Sequence, residues 1–286
     1  MEKTWTLLEI IKSSDELLTN RNIKNSRLNA EVLLADTLNI KRIDLYLQFD
    51  KPLSQDEIKR FKEKLVRRLN YEPLQYIRGF TEFYGINIKV NRSVLIPRQE
   101  TEVLVEKAID LVKSYDTPPH ILDIGAGSGC ISIAIAKNTQ CPVEAIDLDD
   151  NALALAKENS QLNDTGNKIS FQKKDISAFH DFNAYDVIVS NPPYIPLSEY
   201  HILDKEVKDF EPKHALTDEK EGMSFYKIIF DIASRTEKDI RLLLEIGDGK
   251  RKKVEELLSN YSFSNAVFYP DLMGIERVVY IEHHKQ

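Results

Sequence analysis

The residues with the most specific chemistry in this chain are Asn191-Pro192-Pro193-Tyr194. The carboxamide oxygen of Asn191 and the carbonyl of Pro192 can each accept one N–H, and the two prolines stiffen the backbone that holds them. A residue before proline is pushed toward an extended conformation, which keeps the Asn191 side chain clear of the turn. The aromatic ring of Tyr194 can cover the face of a flat group. Rigid acceptors beside an aromatic ring suit the holding of a planar NH2 group against an electrophile. The plainer alternative is that Asn-Pro starts a turn and Pro-Pro-Tyr is a stiff loop or a polyproline ligand.

The elements that must position this tetrapeptide are legible on either side of it. An apolar, β-branched run from Tyr185 to Ser190 reads as a buried strand that stops where the prolines begin, so the loop lies at a strand's C-terminal end, where open parallel sheets bind their ligands. Upstream, Leu122-Asp-Ile-Gly-Ala-Gly-Ser-Gly129 closes one strand and opens a helix. Gly125, Gly127 and Gly129, with Ala126 and Ser128 between them, let backbone pass close to a ligand and leave amides at a helix N-terminus. A dinucleotide fingerprint would need its third small residue at position 130, where Cys130 stands, so this spacing favours S-adenosylmethionine. A tight strand-to-helix turn is the alternative. Asp123 can steer this loop or the amino group of a methionine moiety. Asp147, 22 residues after Gly125, ends the next strand and can accept two ribose hydroxyls. Asp149 and Asp150 read as charges favoured at a helix N-terminus. Asp175 can accept from an adenine amino group or cap a helix, and Ile176 can pack on the adenine face.

At 286 residues the chain can build one large and one small domain. Residues 1–78 carry 15 basic and 12 acidic side chains, net +3, while 79–286 carry 24 and 34, net −10. An acidic larger domain suits a polyanion poorly, so nucleic acid is not expected as the direct substrate. No apolar run reaches membrane-spanning length, and Met-Glu-Lys-Thr-Trp lacks a signal-peptide pattern, so a cytoplasmic protein is expected. Cys130 and Cys141 read as core thiols. The six histidines show no ligand spacing, and no metal site is expected.

Taken in order, residues 1–75 read as a small helical bundle. Leu7, Leu8, Ile11, Leu17 and Leu18 mark a first apolar stripe. Ser26 is placed to cap a second helix carrying Leu28, Val32, Leu33 and Leu38, and Ser54-Gln-Asp-Glu57 is a capping box before Ile58, Phe61, Leu65 and Leu69. That last helix is expected to expose Lys59, Arg60, Lys62, Lys64, Arg67 and Arg68, as a docking face or simply a solvated one. Residues 76–98 read as a hairpin or linker, with alternation around Gly85. In 99–286, strands and helices alternate until the last two strands, which too few residues join for a crossover. Seven strands with an antiparallel last member give an α/β fold, the Rossmann-like class I methyltransferase sheet, behind a small helical N-terminal domain.

Together with Asp123-Ile-Gly-Ala-Gly-Ser-Gly129 and Asn191-Pro-Pro-Tyr194, further stretches carry a resemblance. They are Glu72-Pro73 with Tyr76 and Gly79, Phe83-Tyr84-Gly85, Leu95-Ile-Pro-Arg98 with Glu100-Thr101, Phe210-Glu-Pro212 with Ala215-Leu216, Leu244-Glu-Ile-Gly247, and Asp271-Leu-Met-Gly-Ile-Glu-Arg277. Across nearly the whole chain this resembles the HemK-type release factor glutamine methyltransferases. The resemblance implies methyl transfer from S-adenosylmethionine to the N5 amide of the glutamine in a Gly-Gly-Gln loop, with peptide chain release factors as protein partner, docked by the helical domain. It also implies that Gly125 to Gly129, Asp147, Ile176 and Asn191 contact the cofactor, and Asn191, Pro192, Pro193 and Tyr194 the glutamine. One copy working alone is the expectation. Gln99, Lys250 and Asp218-Glu219 depart from the family's usual proline, glutamine and glycines. A ribosomal protein glutamine methyltransferase, an adenine-N6 methyltransferase and a cofactor-binding module without catalysis stay open as alternatives.

Overall fold

The computed structural model describes residues 4–263 and 265–285; the first three residues of the expected helical domain and Gln286 lie outside them. The chain forms two compact units, one of residues 1–79 with 204–210, the other of 80–203 with 211–286. Among the described residues no helix is long and apolar enough to cross a membrane.

The first unit contains α1 (Leu7–Thr19), α2 (Ser26–Leu38), α3 (Arg42–Tyr46), α4 (Gln55–Leu69) and α5 (Leu74–Arg78). Its core is Leu7, Ile11, Leu18, Leu33, Leu34, Leu45 and Phe61, all essentially inaccessible, each contributing roughly 1.5–3 kcal/mol by burial. Capping boxes start α1 at Thr6 and Glu9 and α4 at Ser54 and Glu57. Three sequence expectations are corrected here. Leu17 and Leu28 face outward, the buried stripe running instead through Ile10 and Ser14 on α1 and Ala30 and Leu34 on α2. Ser26 is not the cap of α2: Asn25 takes that position in a left-handed conformation, and the Ser26 hydroxyl donates to Asp15.

The third correction concerns the basic helix. Arg68 is buried, because its Nε donates to Asn29 Oδ1 at 2.7 Å and its Nη1 to the Glu72 carbonyl at 3.0 Å, while Nη2 lies 2.6 Å from Glu206. The planar guanidinium presents Nε, Nη1 and Nη2 in fixed, diverging directions, which suits three separate acceptors better than the single point charge of a lysine. Lys64 pairs with Asp36, Arg67 with Glu72, and Arg60 with Asp56. Lys59 and Lys62 are left exposed beside Val66. The segment 204–210, with a single helical turn at Lys205–Lys208, belongs to this unit through Arg68 to Glu206, Lys24 to Asp204 and Lys205 over the Tyr71 ring.

The second unit opens with an antiparallel hairpin, β1 (Phe80–Phe83) and β2 (Ile86–Lys89), followed by α6 (Thr101–Lys113). Then come β3 (Ile121–Ile124), α7 (Cys130–Thr139), β4 (Val143–Asp147), α8 (Asp150–Leu162), β5 (Ile169–Lys173) and β6 (Val187–Ser190). Short helices α9 (Leu197–Tyr200) and α11 (Lys213–Leu216), separated in the chain by the first unit's α10 (Lys205–Lys208), precede α12 (Ser224–Ala233), β7 (Ile240–Glu245), α13 (Arg251–Leu258), β8 (Asn265–Pro270) and β9 (Glu276–His283). The seven-stranded sheet has the order β5-β4-β3-β6-β7-β9-β8, parallel from β5 to β7, with β9 antiparallel to both its neighbours. Its central strands β3 and β6 are buried along their whole length, as strands covered on both faces must be. This is the expected α/β sheet. The hairpin is docked on α8 rather than hanging free: Lys89 N donates to Asn159 Oδ1 at 2.7 Å, and Asn163 Nδ2 to the Asn87 carbonyl at 2.9 Å.

Arg68→Met keeps the side-chain bulk but strands Asn29, the Glu72 carbonyl and Glu206 without their donor. The variant is expected to lose about 3 kcal/mol, the scale of breaking a buried pair, read as a lower denaturation midpoint of the full chain.

Candidate active site

The sheet register brings the chemistry into one row. Ile146, Ile124, Ser190 and Leu244 stand side by side on β4, β3, β6 and β7. The residue after each is Asp147, Gly125, Asn191 and Glu245, so four motifs far apart in sequence emerge together at the C-terminal edge of the parallel strands. A cleft of about 560 Å³ opens there. Its wall includes Gly125, Ala126, Gly127, Ser128, Asp147, Asp175, Ile176, Asn191, Pro192 and Pro193.

Two of the predicted site residues are absent from that wall. Gly129 packs between helices, since a Cβ there would meet Ala156 Cβ at 3.1 Å and Ile133 Cδ1 at 3.3 Å. Tyr194 turns away from the cleft: its hydroxyl donates to Glu245 Oε1 at 3.2 Å and its ring lies on Gly247, where a Cβ would come within 2.8 Å. Burial pushes the Tyr194 phenol far up, so it stays a donor at any ordinary pH. The aromatic ring on the wall is Phe225, which the sequence reading passed over.

The glycine loop differs in detail from the expected set of free amides. Gly125 and Ala126 both donate to the Ile146 carbonyl at 2.9 Å, Gly127 donates to Asp147 Oδ2 at 2.8 Å, and Gly129 to the Ala126 carbonyl at 2.8 Å. What the loop offers is bare backbone: a Cβ at Gly125 would meet nothing within 4 Å, and Gly127 has φ +53°. Asp147 braces the loop and also accepts from Asp149 N at 3.0 Å, so each of its oxygens retains a lone pair toward the cleft. Asp149 caps α8, as its place before the helix suggested. Asp175 both accepts from Ser177 N at 2.8 Å, capping a helical turn, and lines the cleft.

Asn191 is anchored by one end of its amide. Nδ2 donates to Thr101 Oγ1 at 3.2 Å, while Oδ1 and the Pro192 carbonyl take no hydrogen bond from the described residues. The loop that follows is pinned by Ile195 N to the Leu216 carbonyl at 3.0 Å and Leu197 N to the Lys220 carbonyl at 2.9 Å. The pinning strand of backbone can come so close only because of Gly222, where a Cβ would fall 2.2 Å from the Tyr194 carbonyl and φ is +75°. Asp218, one of the departures from the family pattern, organises that turn by accepting from the amides of Lys220, Gly222 and Ser224, each at 2.9 Å, which holds its carboxyl below the usual range despite burial. Lys250, another departure, pairs with Glu199. Two further resemblance motifs meet beside the cleft, where the buried Glu211 carboxylate accepts from Ile96 N at 3.1 Å and pairs with Arg98.

Comparison with known proteins decides the family. Residues 9–79 match the model of the PrmC N-terminal domain and residues 100–205 that of the methyltransferase small domain. A release factor glutamine methyltransferase of Fusobacterium nucleatum is 39% identical over 95% of this chain and 77% of its own length, and one of Geobacter sulfurreducens 36% identical over 96% of both. The chain belongs to the release factor glutamine methyltransferase family. The crystal structure of the hMettl16 catalytic domain in complex with MAT2A 3'UTR hairpin 1 shares the fold at a TM-score of 0.55 and 17% identity, covering 86% of this chain and 87% of that one. S-adenosylmethionine fits the wall on two counts. The bare backbone at Gly125 and Gly127 gives a bulky nucleoside room against the loop. Asp123, one residue behind the wall, accepts from Ser132 with Oδ2 but keeps Oδ1 buried and without a partner among the described residues, an acceptor suited to an ammonium group. Burial pushes the Asp123 carboxyl up to about 6, a cost that a cation beside it would relieve.

Gly222→Ala should force the turn and the Tyr194 backbone apart. Because a misplacement of about 1 Å at reacting groups can cost on the order of 10²-fold, single-turnover methyl transfer is expected to slow by that order while calorimetric affinity for S-adenosylmethionine, held on the other side of the cleft, changes little.

Proposed function

We propose that this chain methylates the N5 amide nitrogen of the glutamine in the Gly-Gly-Gln loop of peptide chain release factors, with Asn191 and Pro192 holding that amide. The observation that carries the reading is the pair of unoccupied acceptors, Asn191 Oδ1 and the Pro192 carbonyl, on a rigid loop at the edge of a cleft walled by Asp147, Asp175 and the glycine turn. When bound, S-adenosylmethionine supplies a methyl group on a sulfonium, a strong electrophile with a neutral leaving group. A carboxamide nitrogen is a poor nucleophile because its lone pair is delocalised. Two fixed acceptors for its N–H groups set the nitrogen's direction and stabilise the positive charge that grows there. Low dielectric in the half-buried loop strengthens both contacts. Asp147 binds the ribose hydroxyls, Asp175 and Ile176 the adenine, and Asp123 the amino end of the cofactor. Tyr194 acts from behind the loop, as a brace.

The helical unit docks the release factor, and the reaction takes place in the cytoplasm. After the internal pairing of Arg60, Lys64, Arg67 and Arg68, the docking charge rests on Lys59 and Lys62, next to the exposed Val66. Reversal of Lys59 and Lys62 to glutamate is expected to raise KM for a whole release factor, increasingly so at low salt, and to leave a short Gly-Gly-Gln peptide unaffected. An equal response of the two substrates would mark the face as solvated only.

The amide-holding role is tested at its centre. Asn191→Ala should lower kcat by on the order of 10²-fold, the scale of one preorganised polar contact, with a much smaller change in cofactor affinity. Asn191→Asp keeps an acceptor but adds a charge, and should retain more activity than alanine. A near wild-type single-turnover rate for the alanine variant would reduce Asn-Pro-Pro-Tyr to a turn, and methylation of a nucleic acid in place of the protein would move the chain to the adenine reading.

A further inference from the structure

The hairpin that closes the sheet carries a motif that the chemistry of the cleft does not use, Asp271-Leu-Met-Gly-Ile-Glu-Arg277. Its turn is firmly built. Asp271 Oδ1 accepts from Met273 N at 2.8 Å and Ile275 N at 3.0 Å, and Oδ2 accepts from Arg277 Nε at 2.8 Å. The Asp271 amide donates to the Ile275 carbonyl at 2.7 Å, and Gly274, at φ +78°, donates to the Asp271 carbonyl at 3.0 Å. Arg277 holds the Asp271 carboxyl below its usual range, so at neutral pH it stays an acceptor. The base of the hairpin is braced on both faces, since Phe268 and Tyr269 are successive in β8 and point opposite ways. Arg251 of α13 lies over the Phe268 ring at 4.6 Å and pairs with Glu276, and Lys107 of α6 lies over the Tyr269 ring at 5.4 Å.

On this frame the two residues at the tip are apolar and bare. Leu272 is fully exposed and Met273 is 84% exposed. A single apolar side chain on a surface is ordinary. Two neighbours on a turn fixed by its own hydrogen bonds are a preformed anchor, because covering them orders little further backbone.

The sheet register sets where the tip stands. β9 runs antiparallel to β7 with Val278 opposite Glu245, and Ile246 N donates to the Arg277 carbonyl at 2.7 Å. Glu276 is therefore level with Gly247, on which the Tyr194 ring lies, and residues 271–275 extend past that level. This is the C-terminal edge of the parallel strands, where the Asn191 loop also emerges. From β6 across β7 to the β9–β8 hairpin is two to three strand spacings, roughly 10–15 Å, a distance that about three to five extended residues span. The charge at this edge is one-sided. The unit that carries the sheet has 22 basic and 31 acidic side chains, net −9, and Asp248 is exposed directly after Gly247. An apolar anchor in acidic surroundings suits an apolar patch rimmed by basic side chains.

We propose that Leu272 and Met273 anchor the protein substrate, covered by an apolar, basic-rimmed patch of the release factor close to its Gly-Gly-Gln loop. This rests on the reading of the release factor as substrate and adds to it a contact made by the catalytic unit itself. The unbranched thioether of Met273 adapts to the surface that covers it, while the turn fixes where that surface must lie. Neither side chain is on the cleft wall, so the anchor serves capture of the whole protein and not the methyl transfer step.

The test measures methyl transfer to a whole release factor and to a minimal Gly-Gly-Gln peptide with cofactor saturating. It compares wild type, Leu272→Ser with Met273→Ser, Leu272→Met with Met273→Leu, Leu272→Lys, and Leu272→Glu. The double serine variant is expected to raise KM for the whole factor by at least about 10-fold, the worth of burying one such side chain. Its kcat, its kinetics on the peptide, its thermal stability and its calorimetric affinity for S-adenosylmethionine should match wild type. The variant that exchanges leucine and methionine keeps the apolar surface and should keep the wild-type KM. Leu272→Lys should be worse than Leu272→Glu, because only the lysine repels a basic rim. A wild-type KM in the double serine variant, on a factor that the wild type methylates, would overturn the anchor and leave the function standing. A wild type that does not methylate the factor would overturn both. Equal losses on factor and peptide, or a fall in stability or cofactor affinity, would make the turn a part of the site's framework and overturn the docking role. Leu272→Lys no worse than Leu272→Glu would overturn the basic rim, and a wild-type dimer in sedimentation that the double serine variant dissolves would give the tip to a second copy of this chain instead.

Discussion

β6 ends at Ser190 because the chain there runs out of amide hydrogens. Two consecutive prolines cannot continue a ladder on either side, so backbone that would otherwise pair with β3 and β7 leaves the sheet with its carbonyls unclaimed. Such a loop, left to itself, would be a poor place for precise chemistry. Its rigidity comes from what closes on it. Leu216 and Lys220 carbonyls take the amides of Ile195 and Leu197, Gly222 and Gly247 yield the space for the Tyr194 backbone and ring, and Glu245 holds the Tyr194 hydroxyl. Every one of these partners comes from sequence well downstream of the loop, and each makes the loop's unused acceptors more precise.

The unusual feature of the site is the number of buried charges near it that are only half compensated. Asp123 and Glu245 each retain an oxygen without a partner among the described residues, and both carboxyls are pushed up by burial, to about 6 and about 7. Elsewhere the unit compensates such groups fully, as with Glu211, which has Arg98 and the Ile96 amide, or Asp271, which has Arg277 and two backbone amides. Incomplete compensation costs stability, and proteins retain it where a bound group or a proton completes the set. The two cases divide by position. Asp123 stands behind the glycine loop, and Glu245 behind the loop that carries Asn191, where the Tyr194 hydroxyl answers one of its two oxygens.

How much of this was legible in the sequence depends on the range of the interactions involved. Strands β3 to β9 could be read because each is a short apolar run closed by turn residues, and the antiparallel last strand because too few residues precede it for a crossover. That Asn191, Asp147 and the glycine turn would stand at one edge of the sheet could be read because each directly follows or closes a short apolar strand. Thr101 and Gly222 could not, since their importance lies in what they touch across the fold: a threonine at a helix start and a glycine in a polar turn are common. Tyr194 was assigned to the substrate face because its place in the motif says nothing of which way it turns, and Gly247, the residue that receives its ring, was present only as part of a longer resemblance. Arg68 was placed on an exposed basic face because helical spacing does not reveal that Glu206, 138 residues later, would come back to pair with it.

That return also changes what the helical unit can do with its charge. A cationic stripe of six side chains would steer any acidic surface over a wide range of orientations. Four of the six are instead committed to Asp56, Asp36, Glu72 and Glu206, in pairs that neutralise their field at short range. Lys59 and Lys62, three residues apart and so on one face of α4, form a small charged spot with Val66 one turn further along that face. A spot of that kind contributes direction rather than bulk affinity: it favours a partner that brings an apolar residue and a carboxylate together, and it gives little to a flat acidic surface. The returning segment 204–210 brings three acidic and two basic side chains, so the helical unit as a whole carries net +2 where the first 78 residues alone carry +3.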